Sequence, residues 1–472
     1  MKVLSLSRRD FLNLSAKAAA AGMVAPLGMP REARGAEDYR ALVCIFLNGG
    51  NDAWNTLTPI SSAEYAAYAS ARGLGESWGL ALEKSEFLPV NKGAGSAVPG
   101  DYGLHPSLAN CHSLYQSGDL SIVSGIGPLV KPTSREQYEE SIDLLRNGIV
   151  ASHPLPAGLF GHNTQVNQWH TLNGVGTLPS GWAGRVLDGL QPRTMAQQLP
   201  ASISTKGRPA LLVGGTNIPY AIDPNGIQRF EGITAGDFAQ ARGAAYRRIM
   251  SAVLADGNRS VYERGFAQVQ ASALENALKF QQALANAPSF EGLPEGNGDG
   301  LITQLRTVAK IISARNDFDV SRQVFFVEDI GFDLHDRHMS NQPTLLAALD
   351  RAIGGFSDAL KTMGAWDQVV TFTQSDFGRT LTSNGDGSDH AWSGLQFVFG
   401  GATNGGQIYG SYPILELGQP NEVGGGIFIP DVSVDQYAAT LARWFGAAEV
   451  DLPTICPNLA NFSQPRLEFL PT

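Results

Sequence analysis

Ala41-Leu42-Val43-Cys44-Ile45-Phe46-Leu47 is an uninterrupted apolar run that stops at Asn48-Gly49-Gly50-Asn51-Asp52. Such a run leaves no polar face for water, so it reads as a strand covered on both sides, the habit of a parallel sheet. Shorter runs of the same kind occur at 120–123 before Ser124-Gly125, 210–213 before Gly214-Gly215, 324–327, 369–372 and 396–399. Between them apolar residues recur at spacings of three and four over 106–116, 135–146, 238–254, 261–285, 301–314, 344–363 and 434–445, the period of helices packed by one face. Strands alternating with helices predict an α/β protein with a largely parallel β-sheet sandwiched between helices. Residues 287–299, rich in Pro, Gly, Glu and Asn, predict a loop or hinge. The polar stretch 145–181 holds three of the eight histidines and reads as a surface excursion or cap.

The 472 residues carry 34 basic and 44 acidic side chains, a net charge of −10. Extended nucleic-acid binding needs phosphate-neutralising basic surface, and the acidic excess argues against it. No apolar run reaches the ~20 residues that cross a bilayer, so no transmembrane segment is expected. The N-terminus reads as an export signal. Ser7-Arg8-Arg9-Asp10-Phe11-Leu12 precedes a weakly hydrophobic stretch over 16–27, and Ala33-Arg34-Gly35-Ala36 offers small residues for cleavage. Paired arginines point to the Tat route. Residues 1–36 are then an expected Tat leader, the Tat translocase an expected partner, residues 37–472 one domain, and the periplasm or extracellular space the destination. The first 35 residues hold six basic and two acidic side chains, +4, which leaves −14 for the remainder. Tat carries folded proteins, often already loaded with metal, which adds weight to a metal site. Cys44, Cys111 and Cys456 allow one disulfide at most, and Cys44 reads as a small core residue.

In open α/β sheets ligands collect beyond the carboxyl ends of the strands, so polar residues there are candidates. Asp52, after the first run, either projects a carboxylate into such a crevice or caps the helix that follows. Asp333-Leu334-His335-Asp336-Arg337-His338, beyond 324–327, sets two imidazoles and two carboxylates within six residues. Asp and His ligands suit zinc or another transition metal at neutral pH, and the alternative is a solvated polar loop. Ser375-Asp376-Phe377-Gly378-Arg379, beyond 369–372, is followed by Asp389-His390. Arg379 is suited to gripping an anion by two parallel hydrogen bonds, or to an ordinary ion pair with Asp376.

These residues carry a resemblance. Leu47-Asn48-Gly49-Gly50-Asn51-Asp52-Ala53-Trp54-Asn55-Thr56, Leu104-His105-Pro106, Gly181-Trp182-Ala183-Gly184-Arg185, Gly331-Phe332-Asp333-Leu334-His335, Ser375-Asp376-Phe377-Gly378-Arg379 and Asp389-His390, with the Tat signal, look like the bacterial exported "domain of unknown function 1501" family. The resemblance covers nearly the whole mature chain. That family is similar in fold to the alkaline phosphatase and sulfatase superfamily. The likeness implies a mixed sheet between helices and hydrolysis of phosphate or sulfate esters with one or two divalent metal ions (zinc, manganese or calcium). A nucleophilic Ser, Thr or modified Cys belongs to the same pattern. By motif it implies metal ligation by Asp52, Asp333, His335 or His338, Asp376 and His390, with Asp389 adjoining.

Two departures stand out. Phosphatases of the superfamily follow the later aspartate with histidine, whereas Phe377 follows Asp376, which leaves one metal position short of a ligand and favours a single ion. Members of the 1501 family often show Arg-Ser-His-Phe where this chain has Arg135-Glu136-Gln137-Tyr138. Ser134 or Thr56 would then supply the hydroxyl, although Ser134 equally fits a plain helix N-cap, with Gln137 completing a capping box. The resemblance implies an exported metal-dependent hydrolase acting on an anionic small molecule or glycan, with Arg379 neutralising the oxyanion. The missing serine and the incomplete second metal position favour an alternative, a non-catalytic protein of the same fold that binds an anionic glycan or a cell-surface partner. A third reading has the metal contributing folding energy only.

Overall fold

The run at 41–47 becomes β1 (Arg40–Asn48), a central strand of a nine-stranded sheet. Successive side chains on a strand point to opposite faces. Val43, Ile45 and Leu47 therefore enter one hydrophobic core, and Leu42, Cys44 and Phe46 enter a second on the other side. The computed structural model describes residues 38–90, 98, 100–174, 178–194, 197–224, 252, 260–295 and 300–471. The expected leader lies outside the described residues, as does the helix expected over 238–254 apart from Ala252.

A small antiparallel sheet joins β2 (Leu57–Pro59), β3 (Leu88–Val90) and β4 (Tyr102–Leu104). The large sheet is completed by β5 (Leu120–Gly127), β6 (Ser202–Ser204), β7 (Tyr220–Ala221), β8 (Arg322–Ile330), β9 (Val369–Ser375), β10 (Gly394–Phe399), β11 (Ile408–Gly410) and β12 (Val432–Ser433). Its order is β11-β5-β10-β9-β1-β8-β6-β7, with β12 also on β5. β10 runs antiparallel to β5 and β9, and the other described pairs are parallel. The expected α/β class with a largely parallel sheet is thus observed, in mixed form.

Helices cover both faces. Gly300–Ser313 and His338–Thr362 pack Leu305, Val308, Leu346 and Ile353 into the first core. Trp182–Gly189 and Val434–Phe445 pack Trp182, Val186, Tyr437 and Leu441 into the second. The helices expected at 135–146 and 434–445 form as Arg135–Arg146 and Val434–Phe445, each opened by a serine capping box. Residues 210–213 are not the expected strand. Pro209 leads instead into a single 3-10 turn, Ala210–Leu212, because proline fixes φ and has no N–H for a ladder. The polar stretch 145–181 contains the helix His162–Thr171. All three cysteines are buried and free. Among the described residues no helix is long and apolar enough to cross a membrane.

Register is what builds the site. β1 lies between β8 and β9, with Asn48 opposite Ile330 and Leu47 opposite Ser375. Three parallel strands therefore end side by side and release the segments after Asn48, Ile330 and Ser375 at one edge of the sheet.

Candidate metal centre

Contact between these three segments depends on glycine. Gly49 has φ +121°, and a Cβ there would lie 2.2 Å from the Asp333 backbone nitrogen. Gly50 has φ +93°, and its Cβ would lie 2.6 Å from the Phe377 ring. Both conformations favour glycine, and only its missing side chain allows the approach. The Gly49 N–H donates to Asp376 Oδ1 at 2.9 Å, and the Asn51 N–H donates to Ser375 Oγ at 2.9 Å.

Arg379 ties the loops together from within. Its side chain is fully buried. It donates to the carbonyls of Gly50 (3.0 Å), Ser388 (2.9 Å), Gly49 (2.6 Å) and Phe332 (3.2 Å), and pairs with Asp333 Oδ1. These contacts occupy its guanidinium, so the anion grip expected of Arg379 is replaced by a fastening role.

Above this platform, His162, Asp333 and His390 each offer one ligand atom, all within 4.8 Å of one another. His390 Nε2 is 3.2 Å from Asp333 Oδ1, and His162 Nε2 is 3.4 Å from Asp333 Oδ2. The second nitrogen of each imidazole is engaged elsewhere. His390 Nδ1 donates to the Phe160 carbonyl at 2.7 Å, and His162 Nδ1 meets Asp376 Oδ2 at 2.7 Å. A hydrogen bond at one ring nitrogen fixes the tautomer and frees the lone pair of the other. Phe160 holds its carbonyl with φ +71°, uncommon for a residue with a side chain. The Phe377 ring packs under both imidazoles, 4.2 Å from His390 and 4.9 Å from His162 between centroids.

Charge follows geometry. Burial pushes the Asp333 carboxyl up, but Arg379, His390 and His335 together hold it below the usual carboxylate range. Burial likewise drives His390 down, with Arg379 and His162 adding to the effect against the Phe160 carbonyl and Asp333. A carboxylate that stays ionised beside an imidazole that stays neutral is the protonation state of metal ligands.

His335 joins the edge of the cluster. Its Nε2 lies 2.9 Å from His390 Nε2 and 3.1 Å from Asp333 Oδ1, and its Nδ1 lies 3.1 Å from Asp389 Oδ1. Of the expected site residues, the structure thus gathers Asp333, His335, Asp376, Asp389 and His390.

Asp52 and His338 go elsewhere. Asp52 Oδ1 accepts the Trp54 N–H at 3.0 Å, the capping geometry, and its carboxylate pairs with the fully buried Arg72 and with His338 Nε2 at 3.0 Å. Burial pushes the Asp52 carboxyl up, yet Arg72, His338 and the Trp54 N–H bring it down to about 2. Its carboxylate serves an internal ion pair, against the expectation of a metal ligand.

The two candidate hydroxyls are also engaged. Thr56 is buried and donates to the Asp52 carbonyl at 2.6 Å. Ser134 caps its helix, accepting from the Gln137 N–H at 3.3 Å and donating to Glu136 at 2.8 Å. His162 was not among the residues singled out from the sequence. The sole signal for it was the concentration of histidines in the polar stretch 145–181.

Several solved structures are similar at low identity. Ps i-CgsB in complex with k-i-k-neocarrahexaose aligns at 11% identity over 89% of this chain and 77% of its own, with a TM-score of 0.33. The lipoteichoic acid synthase LtaP from Listeria monocytogenes aligns at 10% identity, over 88% and 80%, with a TM-score of 0.30. The phosphonate monoester hydrolase SpPMH from Silicibacter pomeroyi aligns at 10%, over 89% and 77%, with a TM-score of 0.33. No curated protein matches the chain in sequence. The sequence profile of the protein family of unknown function DUF1501 matches residues 39–446, and the chain belongs to that family.

Proposed function

We propose that this protein is an exported, alkaline-phosphatase-like hydrolase of phosphate or sulfate esters, with one divalent metal ion held by His162, Asp333 and His390. The observation that carries this reading is the convergence of those three ligand atoms within 4.8 Å at the carboxyl edge of the sheet. Two imidazoles and a carboxylate suit zinc or manganese better than calcium, which prefers oxygen. The residues fit such an ion because the other nitrogen of each imidazole is already engaged by Asp376 or the Phe160 carbonyl. When bound, the metal supplies Lewis-acid polarisation of an ester oxygen and acidification of water.

The chain's own groups do the rest. Asp376 and the Phe160 carbonyl orient the two histidines. His335, steered by Asp389 at 3.1 Å, is suited to accept a proton from attacking water. Arg379 keeps the Asp333 carboxylate ionised and fixed. Water as the attacking group agrees with the engagement of Thr56 and Ser134 elsewhere. Residues 1–36 would carry the chain through the Tat translocase to the periplasm or beyond, and residues 37–472 would act as one domain.

The same engagement of Thr56 and Ser134 favours a second reading, a metal-stabilised protein that binds an anionic ligand without turnover. Elemental mass spectrometry of untagged protein, beside Asp333→Ala and His162→Ala, tests the centre. About one equivalent of metal, lost in both variants, is expected, and chelator-sensitive hydrolysis of chromogenic phosphate or sulfate esters then separates enzyme from binder. No stoichiometric metal in the wild type overturns both readings.

A further inference from the structure

The helix His162–Thr171 has a second working side. His162 stands at its first turn, in the metal cluster. Asn163, Asn167 and His170 line an open cavity of about 360 Å³, together with Asn48 at the end of β1 and with Lys206 and Arg208. Two of its lining residues adjoin residues of the cluster in the chain. Asn163 is the neighbour of His162, and Asn48 precedes Gly49, whose N–H holds Asp376. From His162 to His170 the helix rises roughly 12 Å.

We infer that this cavity is a subsite for a second anionic group of an extended glycan whose reacting ester lies at the metal centre. The inference rests on the hydrolase reading above and names its substrate class.

Charge is the first argument. In a chain of net charge −10, the cavity presents Lys206 and Arg208 against one carboxylate, Glu328. Glu328 accepts from Asn48 Nδ2 at 2.8 Å, whereas among the described residues neither Lys206 nor Arg208 has a carboxylate partner. Both are exposed, so they can swing toward a ligand without breaking a contact. A second argument is polarity. Three asparagine amides on one lining suit sugar hydroxyls, which both donate and accept.

His170 supplies the third. It is 4% exposed, and its Nε2 has no hydrogen-bond partner among the described residues. The ring is set edge-on to Phe46 and Phe326 at 5.3 and 5.6 Å. Burial drives its pKa down to about 3, so it stays a neutral imidazole, a hydrogen-bond partner for a sugar hydroxyl. A buried polar atom left unpaired carries a cost that a ligand hydroxyl would relieve.

The test is calorimetric titration of a heparin-derived tetrasaccharide into metal-loaded protein, beside a neutral tetrasaccharide. Lys206→Ala/Arg208→Ala is compared with wild type, and metal content is measured on every sample. The wild type is expected to bind the sulfated sugar and not the neutral one, and the double variant at least tenfold more weakly with its metal retained. Both changed residues are exposed, and circular dichroism checks that the fold is kept. Equal binding by wild type and double variant overturns the subsite, as does binding of neither sugar or of both alike. Loss of the metal-centre reading is distinguishable, because it is read from wild-type metal content alone.

Discussion

His162 Nδ1 and Asp376 Oδ2 lie 2.7 Å apart, although 214 positions separate them in the sequence. Asp376 is almost fully buried and its other oxygen accepts the Gly49 N–H, so it is a fixed acceptor. It turns the imidazole so that Nε2 faces Asp333 at 3.4 Å. Outer-shell carboxylates of this kind are worth about 10–100-fold in metal affinity. Asp376→Asn is therefore expected to weaken metal binding by that factor, measured by competition with a chromophoric chelator. His162→Ala should lose more. Wild-type affinity in Asp376→Asn would show that the pair has no part in holding a metal.

Gly49 is the point where two loops touch. A methyl group there meets the Asp333 nitrogen at 2.2 Å and the Phe332 carbonyl carbon at 2.7 Å, on a backbone with φ +121°. Conformational strain alone costs about 1–3 kcal/mol, and the clash must also move Asp333. Gly49→Ala is expected to lower the urea midpoint and the metal stoichiometry together. Gly118→Ala is the control, since Gly118 has φ +80° with nothing within 4 Å of the added carbon. It should show strain without metal loss.

What the sequence disclosed, and what it withheld, follows from range. β1, β8 and β9 are legible because a glycine- or polar-bounded apolar run without a leading proline suits a strand covered on both faces, and the residues beyond such strands follow from that assignment. Asp333, His335, Asp376, Asp389 and His390 came with them. His162 did not, because its helix has no apolar stripe that marks it and it reaches the site only in three dimensions. The fate of Asp52 was hidden for a related reason. Its position at a strand end was visible, but its partner Arg72 lies 20 residues on, at the end of a helix whose packing decides which way the guanidinium points. Residues 210–213 failed as a strand because four apolar residues after a proline suit a turn as well as a ladder.

The Asp52–Arg72 pair makes a sharp stability prediction. Both side chains have no exposed surface, so removing one charge strands the other. Such losses cost about 3–5 kcal/mol. Asp52→Asn is expected to shift urea unfolding by that amount, and Asp52→Asn/Arg72→Met to recover part of it. The pH dependence has a definite sign. The folded carboxyl is held at about 2, below its unfolded value, so its contribution is complete above roughly pH 4 and fades as pH falls toward 2. An unchanged urea midpoint in Asp52→Asn would contradict the buried pair.

Asp435 has the opposite sign. It lies at the start of the helix Val434–Phe445, 1% exposed, and accepts the Asn458 N–H at 3.0 Å. Burial pushes its carboxyl up to about 7, in spite of hydrogen bonds from Asn458 and Ser433 and the charge of Arg185. The folded protein therefore keeps this proton while the unfolded chain releases it near pH 4. Between about pH 4 and pH 7 the folded state binds more protons than the unfolded one, so stability falls as pH rises, by on the order of 2–4 kcal/mol from this group. Asp435→Asn has no proton to release and should flatten that slope. Urea midpoints at pH 5 and pH 7.5 for both proteins isolate the effect, because every other titrating group is common to them. Parallel pH profiles would show that Asp435 is ionised in the folded state. A steeper wild-type decline would show that the carboxyl holding the Asn458 turn is neutral below pH 7 and becomes a buried, destabilising charge above it.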